Sequence, residues 1–466
     1  MVGRIAVIGS GYVGGVVAAG FALVGHDVTV VERERARLAQ LRSGVAPFRE
    51  PGLDPLLASG LASGRLRFTD ELGSGLEGVD VVFVCVGTPP GADGRPDMSA
   101  MATVADGLSA HLSAHQIVVT KSTVPIGTGR WLRAQIEENR GADGPGRWPV
   151  RVVSNPEFLR EGHAVEDFLH PDRIVLGSDD AAALQRVVEL YEPITAQAIP
   201  GDNSQRGPVP LLLTDLATAE MTKYASNAFL AMKISFANEI AHLCELVGAD
   251  VGAVVDGVGL DVRIGRPFLD AGLGWGGSCL GKDLSALVGT AVEFGYHPAL
   301  LEAALQVNEH QRQLVVDELL HQLRSLRGAR IAVLGLAFKP GTDDVRDAPG
   351  VDVAGRLAGR GAFVAVYDPL VPSLDSLDGV RFADDPYAAA RGADAVVLAT
   401  DWPELAALDL YELARAMRGD LLFDGRNLFD PAKVRAAGLR YLGVGRPAVG
   451  VERPSPLPLM PLATTQ

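Results

Sequence analysis

The chain has 466 residues, too many for one core, and domain-size statistics divide it into about two to four domains. Hydrophobic residues make up 47 % and aromatics only 6 %, so Val, Ala and Leu fill the interior, a bias that suits parallel sheets buried on both faces. The net charge of −15 argues against nucleic-acid binding, which needs a basic footprint, and obliges any phosphorylated ligand to be held by a local cluster of Arg, Lys and backbone N–H groups.

The start, Met1 to Ser10, reads as a strand and lacks the ordered segments of a signal peptide. No stretch reaches 18 uninterrupted apolar residues, so no membrane span or membrane partner is expected. Arg4–Ile8, His26–Val31, Val79–Cys85, Ile117–Thr120 and Val150–Val153 are short apolar runs bounded by turn residues, with helical patterns between most of them. That is the βαβ rhythm of a doubly wound parallel sheet.

The rhythm returns near the C-terminus. Gly3-Arg-Ile-Ala-Val-Ile-Gly9 matches Ala329-Arg-Ile-Ala-Val-Leu-Gly335, and Gly25 to Val31 and Gly78 to Val84 match Gly361 to Tyr367 and Gly392 to Leu398. Three matching strands in one order imply two related α/β domains. Between them, Leu216 to Val247 contains neither Gly nor Pro, about 48 Å of helix at 1.5 Å per residue. Such a helix is expected to link domains and to pack on a second subunit. A further helix follows around Pro298–Leu323. The expected division is 1–208, a cofactor-binding α/β domain; 209–327, a helical middle; 328–450, a second α/β domain; and 451–466, a flexible proline-rich tail.

Gly9-Ser-Gly11-Tyr12-Val13-Gly14 follows a strand and opens a helix, the setting that gives GxGxxG its meaning. Gly9 permits the tight turn, Gly11 lets the backbone reach a pyrophosphate, and Gly14 lets helix and strand pack closely. The helix N-terminus offers N–H groups to the phosphates. Glu32 ends the second strand, where a carboxylate accepts from a ribose 2′-hydroxyl and repels a 2′-phosphate, so NAD is the expected cofactor. Arg33, Arg35 and Arg37 lie close by and oppose that preference.

The three cysteines, Cys85, Cys244 and Cys279, are odd in number and widely spaced. They suggest neither a disulfide framework nor a metal site, and a reducing cytoplasm is expected. Cys85 and Cys244 sit in apolar strand and helix patterns. Cys279 stands in Gly272-Leu-Gly-Trp-Gly-Gly-Ser-Cys279-Leu-Gly-Lys282-Asp283, directly before a helical pattern over Asp283–Phe294. A nearby helix N-terminus and Lys282 both favour a thiolate.

These motifs together resemble the UDP-glucose 6-dehydrogenase family, within the wider group of nucleotide-sugar 6-dehydrogenases, over about Gly3 to Gly445. The resemblance rests on the glycine motif, Glu50-Pro-Gly-Leu53, Gly87-Thr-Pro-Pro90, Lys121-Ser-Thr-Val-Pro125, Asn155-Pro-Glu-Phe-Leu-Arg-Glu-Gly162, Lys223-Tyr-Ala-Ser-Asn227, Lys233-Ile-Ser-Phe236 and the Cys279 segment. Phe338-Lys-Pro340, Asp344-Val-Arg346 and Phe423-Asp-Gly-Arg426 complete it. It implies an NAD-dependent four-electron oxidation of UDP-glucose to UDP-glucuronate, such as serves polysaccharide biosynthesis, with a thiohemiacetal and then a thioester on Cys279. Lys223 and Asn227 would steady oxyanions. Asp283 and Thr123 would hold a water that helps remove protons, and Glu157 would be the base for thioester hydrolysis. Thr88, Thr123, Glu161, Lys282 and Arg346 would join the glycine motif, Glu32 and Arg37 in holding NAD. Phe158, Leu159, Arg160, Phe268, Leu269, Gly272 and Gly276 would shape the sugar-nucleotide pocket. Lys339 and Arg426 would reach the substrate from the second α/β domain, and Arg263 would come from a neighbouring subunit of a homodimer or larger homo-oligomer.

The chain departs from the family at Glu32, where Asp is commoner, and at Leu280-Gly281, where Phe-Pro is usual. Three other readings stand beside this one. They are the same chemistry on GDP-mannose or a UDP-N-acetylhexosamine, a one-hydride dehydrogenase of a hydroxy acid, which would need no Cys279, and a non-catalytic NAD-binding assembly protein.

Overall fold

The computed structural model describes residues 2–91, 95–140, 148–448 and 450. The proline-rich tail expected at 451–466 lies outside the described residues. The chain divides into two compact units, Met1–Ser226 and Asn227–Gln466.

The first unit is built on strands β1 (Arg4–Ile8), β2 (Asp27–Val31), β3 (Leu66–Thr69), β4 (Val81–Val84), β5 (Ile117–Thr120), β6 (Arg151–Ser154), β7 (Ile174–Gly177) and β8 (Leu211–Thr214). Their order in the sheet is β3-β2-β1-β4-β5-β6-β7-β8. The first six run parallel; β7 pairs with β6 in the antiparallel sense through Ser154 and Gly177, and β8 pairs parallel to β7. Alternate residues feed two cores, one on each face. Ile5, Val7, Val28, Val30, Phe83 and Val119 enter one, while Ala6, Ile8, Val82, Val84 and Val118 enter the other. The five strands expected from sequence are β1, β2, β4, β5 and β6, with ends shifted by at most two residues. The pattern did not disclose β3, β7 and β8. Leu212 and Leu213 of β8 are exposed, so that edge strand carries no buried alternation to read.

The second unit holds β9 (Arg330–Leu334), β10 (Phe363–Tyr367), β11 (Arg381–Phe382), β12 (Ala395–Leu398), β13 (Leu421–Asp424) and β14 (Arg440–Gly443). All pairs are parallel and the order is β11-β10-β9-β12-β13-β14, the order of the first six strands of the other sheet. The three strand pairs matched in sequence take equivalent places: β1 with β9, β2 with β10, β4 with β12.

In sequence, helices separate the sheets. One runs Leu216–Val247 without a break, as the missing Gly and Pro foretell, and carries the boundary between the units. The helices Val251–Gly259, Leu280–Glu293 and Ala299–Leu323 follow. Among the described residues no helix is long and apolar enough to cross a membrane.

Candidate functional site

In the first unit, the loops at the carboxyl ends of β1, β4, β5 and β6 carry the motifs. This is the edge of a doubly wound sheet where ligands bind, at the point where strand order reverses between β1 and β4. Gly9 turns at φ +92°, and a Cβ there would stand 2.8 Å from the Cys85 carbonyl oxygen. At Gly14 a Cβ would stand 1.9 Å from the Gly9 carbonyl oxygen, so only glycine lets the helix Tyr12–Leu23 pack on its own turn. A Cβ at Gly11 would meet nothing within 4 Å. The helix thus opens toward a space that a phosphate can enter, and the loop fits a dinucleotide. Tyr12 stacks on Phe48 with centroids 4.2 Å apart, and Val13 is half-buried.

Glu32 is buried at the end of β2 and accepts bonds from the Ser10 N–H, the Ser10 hydroxyl and the Glu34 N–H. Burial alone would raise its pKa; these bonds and Arg37, at 3.6 Å, bring it below the ordinary carboxylate value. Arg37 also pairs with Glu34 at 3.2 Å. The carboxylate therefore stays ionised, and the nearest of the three arginines is engaged by acids.

The loops after β4 and β5 are tied together. Thr88 donates its hydroxyl to the Thr123 carbonyl oxygen at 2.6 Å, and Ser122 donates to the Val86 carbonyl oxygen at 2.7 Å. After β6, Glu157 pairs with Lys223 at 2.9 Å, each side chain only 5 % exposed. Burial would lift the Glu157 pKa, but Lys223, the Leu159 N–H and the nearby charge of Lys121 outweigh it and hold the carboxylate below its usual value. Glu161 is half-buried on the same loop. Phe158 lies under the Arg173 guanidinium, with Lys223 5.5 Å from its ring centre, and Leu159 packs against the core. Arg160 is exposed and bonded to Asp167 at 2.6 Å.

Beneath this loop lies a cluster to which the motif reading assigned no role. Buried Lys121 donates to Asn155 Oδ1 at 3.1 Å, and Tyr191 donates its hydroxyl to the same oxygen at 2.6 Å. Burial brings the Lys121 pKa down to about 8.

In the second unit, Cys279 is the N-cap residue of the helix Leu280–Glu293. The helix opens earlier than the pattern over Asp283–Phe294 suggests, since Gly281 and Lys282 do not interrupt it. Cys279 thus moves from near the N-terminus to its very start, where the helix dipole favours an anion. Its sulfur is partly exposed and lies 3.4 Å from the Ser278 hydroxyl. Burial pushes the Cys85 thiol up to about 12 and raises the Cys244 thiol as well. Asp283 is enclosed, accepting from Asn227 Nδ2 at 2.6 Å and from the Lys282 ammonium at 2.5 Å.

Glycine brings the Cys279 loop against the second sheet. The Leu273 N–H donates to the Gly425 carbonyl oxygen at 3.0 Å, and a Cβ at Gly272 would stand 2.7 Å from that oxygen. At Gly276 a Cβ would stand 2.2 Å from the Asp347 carbonyl oxygen. Arg426 donates to the Ala399 and Gly274 carbonyl oxygens at 2.8 and 3.2 Å. Burial lowers its pKa, and among the described residues these two main-chain oxygens are its hydrogen-bond partners. Lys339 is half-buried with its ammonium 5.5 Å from the Phe338 ring centre, and Arg346 pairs with Asp344 at 2.7 Å. Phe268 takes φ +67°, and Leu269 is buried next to it. Arg263 is 87 % exposed and paired with Asp261 at 2.6 Å.

The geometry thus joins Glu157 with Lys223 and Thr88 with Thr123 in the first unit, and Asn227, Lys282 and Asp283 in the second. Lys223 and Asn227 stand one turn apart on the helix Leu216–Val247. Asn308 and Arg312, which hold the Cys279 loop, were not singled out in the sequence; their signal is an Asn and an Arg four residues apart within a helix.

A dinucleotide turn on one sheet and a second sheet whose strand order repeats that of the first six strands define an NAD-dependent dehydrogenase. The chain belongs to the UDP-glucose/GDP-mannose dehydrogenase family, whose NAD binding, central and UDP binding domain models match residues 3–195, 217–310 and 332–431. It is 46 % identical over 451 residues to the UDP-glucose 6-dehydrogenase of Rhizobium meliloti, covering 95 % of this chain and 100 % of that one. To UDP-glucose 6-dehydrogenase TuaD of Bacillus subtilis it is 43 % identical over 455 residues, covering 97 % and 95 %. Among solved structures, a UDP-glucose dehydrogenase from Pyrobaculum islandicum aligns with a TM-score of 0.86 at 39 % identity, over 96 % of this chain and 98 % of that one.

Proposed function

We propose that this enzyme oxidises UDP-glucose twice, to UDP-glucuronate, through a thioester on Cys279. The observation that carries the reading is the placement of Cys279: a partly exposed cysteine at the N-cap position of a helix, in a chain whose other two cysteines are buried. An oxidation of one hydride would give such a thiol no task. Relatives at 43 and 46 % identity named for UDP-glucose favour that sugar over GDP-mannose and the N-acetylhexosamines.

Gly9, Gly11, Gly14 and Glu32, with Thr88, Thr123 and Glu161, would hold NAD on the first unit, and Lys282 and Arg346 on the second. When bound, NAD supplies the hydride acceptor for each of the two oxidations. The remaining work falls to the chain. The Cys279 thiolate adds to the aldehyde carbon, giving a thiohemiacetal whose oxyanion needs fixed donors. Lys223 and Asn227 supply a cation and an amide one turn apart. Thr123 and Asp283 would each serve the water that takes protons from the substrate. Glu157, kept ionised beside Lys223, accepts the proton of the water that cleaves the thioester. Arg426, a buried guanidinium among carbonyls, suits a diphosphate, and Lys339 adds a second cation. Phe158, Leu159, Arg160, Phe268, Leu269, Gly272 and Gly276 line the path of the sugar nucleotide.

The enzyme works as a homodimer at least. Phe229, Phe236 and Leu243 recur at seven-residue intervals on the long helix and are each half-exposed or more, a stripe suited to the same stripe of a second copy. Arg263, exposed and paired with Asp261, would complete a neighbour's site. Three free thiols suit a reducing cytoplasm.

The test is NADH release with UDP-glucose, GDP-mannose and UDP-N-acetylhexosamines in parallel. UDP-glucose turns over best and yields two NADH per sugar. A clear preference for another sugar nucleotide overturns the substrate; one NADH per sugar overturns the chemistry.

A further inference from the structure

The Cys279 loop is held from behind by two residues of the helix Ala299–Leu323. Asn308 pairs with a single residue on both its main-chain groups: its Oδ1 accepts the Trp275 N–H at 2.8 Å and its Nδ2 donates to the Trp275 carbonyl oxygen at 3.1 Å. One side chain does for Trp275 what a neighbouring strand would do. One turn on, Arg312 donates to that same carbonyl oxygen at 3.0 Å. It also reaches Asp347 twice, at the carbonyl oxygen (3.1 Å) and at the carboxylate (2.7 Å). Both side chains are buried. Asp347 adopts φ +48°, the left-handed region that Asp enters more readily than most residues other than glycine.

Asp347 belongs to the segment that joins β9 to the next helix of the second sheet, the segment that carries Lys339 and Arg346. It also bears on the thiol's own surroundings. The Gly277 N–H donates to the Arg346 carbonyl oxygen at 3.0 Å, and a Cβ at Gly281 would stand 3.1 Å from the Asp347 carboxylate. The planar guanidinium of Arg312 is thus the joint between the loop that presents Cys279 and the loop of the UDP binding domain. A lysine, with a point charge in place of a fork, cannot hold three acceptors set in two directions.

We propose that Arg312, with Asn308, is a positioning residue that couples occupancy of the nucleotide site in the second α/β domain to the placement of Cys279. The inference rests on the reading that this domain holds the UDP part of the substrate and that Cys279 is the nucleophile. Before nucleotide binds, Arg312 lets the Asp347 segment and the Trp275 peptide shift together; once Lys339 and Arg426 engage a diphosphate, the same joint fixes the Cys279 loop.

The experiment compares the full-length enzyme with Arg312→Lys, Arg312→Gln and Asn308→Asp. Circular dichroism and calorimetric titration with UDP establish that each variant folds and binds nucleotide. Two quantities are then read: steady-state kinetics with UDP-glucose and NAD, and the rate of Cys279 alkylation by iodoacetamide with and without saturating UDP. In the wild type, UDP changes the alkylation rate by about threefold or more. In Arg312→Gln this dependence disappears while UDP still binds, and kcat falls by about tenfold or more with KM for NAD within about twofold, the signature of a misplaced nucleophile. Arg312→Lys falls between the two. A merely structural role would lower the melting temperature and leave the UDP dependence intact. Wild-type kcat and wild-type UDP dependence in Arg312→Gln, or in Arg312→Lys should the glutamine variant fail to fold, overturn the proposal; so does a wild type whose Cys279 ignores UDP. Should the wild type leave UDP-glucose unoxidised yet show UDP-dependent alkylation, the substrate assignment fails and the coupling stands.

Discussion

Replacing Cys279 by serine isolates the step that the proposed mechanism assigns to sulfur. The change keeps the side chain's size and the N-cap position, where a hydroxyl caps a helix well. It is therefore expected to leave the fold and the helix Leu280–Glu293 intact. What changes is the nucleophile. The helix N-terminus favours an anion at position 279 in either variant, by about 0.3–2 kcal/mol. At about 1.4 kcal/mol per tenfold, that is worth at most about one and a half powers of ten in ionisation. The alcohol ionises several powers of ten less readily than the thiol, so the dipole does not rescue it. An oxygen ester also hydrolyses more slowly than a thioester. Turnover is expected to fall by at least about 10³-fold, equivalent to about 4 kcal/mol of barrier. NAD and UDP-glucose are expected still to bind, because the diphosphate contacts proposed for Arg426, Lys339 and the glycine turn do not involve the thiol. The assay is NADH release per UDP-glucose, with isothermal titration for binding. Iodoacetamide provides an independent arm: Cys85, pushed up to about 12, and buried Cys244 are poor targets, so inactivation reports on Cys279 and is slowed by substrate. Near-normal turnover in Cys279→Ser, or one NADH per sugar in the wild type, would refute the reasoning.

Glu32→Ala should abolish a cofactor preference: the wild type favours NAD over NADP in kcat/KM by at least about 10²-fold, the worth of one like-charge juxtaposition of a few kcal/mol. Parity in the wild type would show that Arg33, Arg35 and Arg37 prevail. Lys121, with its pKa lowered from 10.5 to about 8 by burial, holds fewer protons folded than unfolded between those values, so the native state gains stability as pH rises through that window, by about 3 kcal/mol. Urea unfolding at pH 7.5 and 10.5 should show the difference between wild type and Lys121→Met moving in the wild type's favour by that amount; a constant difference would mean that Lys121 titrates normally. Phe236→Asp should split the dimer in light scattering and lower activity along with Arg263→Ala; a fully active monomer would remove the case for a shared site.

The sequence disclosed what depends on local pattern. Alternating apolar strands gave both sheets, because buried parallel strands have few polar positions to confuse the reading. The strand-turn-helix setting located Gly9, Gly11 and Gly14. The absence of Gly and Pro gave Leu216–Val247 its full length. Contacts between distant residues were not legible. Glu157 and Lys223 are 66 positions apart, and nothing local says that they pair. Asn308 and Arg312 read as ordinary polar residues of a helix until the fold buries them. Lys282 was read as favouring the thiolate and lining the NAD site; that its ammonium bonds the neighbouring Asp283 was not legible. Glu32 was read as a ribose ligand, and the structure gives it a second task, bracing the turn through Ser10.

The two sheets show how one design was put to two uses. A Cβ at Gly350 would stand 2.2 Å from the Gly335 carbonyl oxygen, as one at Gly14 would stand 1.9 Å from that of Gly9, and Gly335 at φ +102° turns as Gly9 does. The acid at the end of the second strand is also present twice, as Glu32 and Asp368. Asp368, however, accepts from the Leu336, Ala337 and Leu370 N–H groups and from Trp402 Nε1. A carboxylate accepts about four hydrogen bonds in all, and the four donors on Asp368, three of them crowded on Oδ2, already match that number. Glu32 accepts three donors and keeps one site, on Oε1. The first turn closes over Gly9–Gly11 and leaves the helix N-terminus open. The second inserts Gly335–Ala348 before its helix begins at Pro349, and that insertion carries Lys339, Arg346 and Asp347. Exchanging Asp368 for a longer acid would therefore not create a second dinucleotide site, because the space above the second helix is taken by the segment that braces the Cys279 loop.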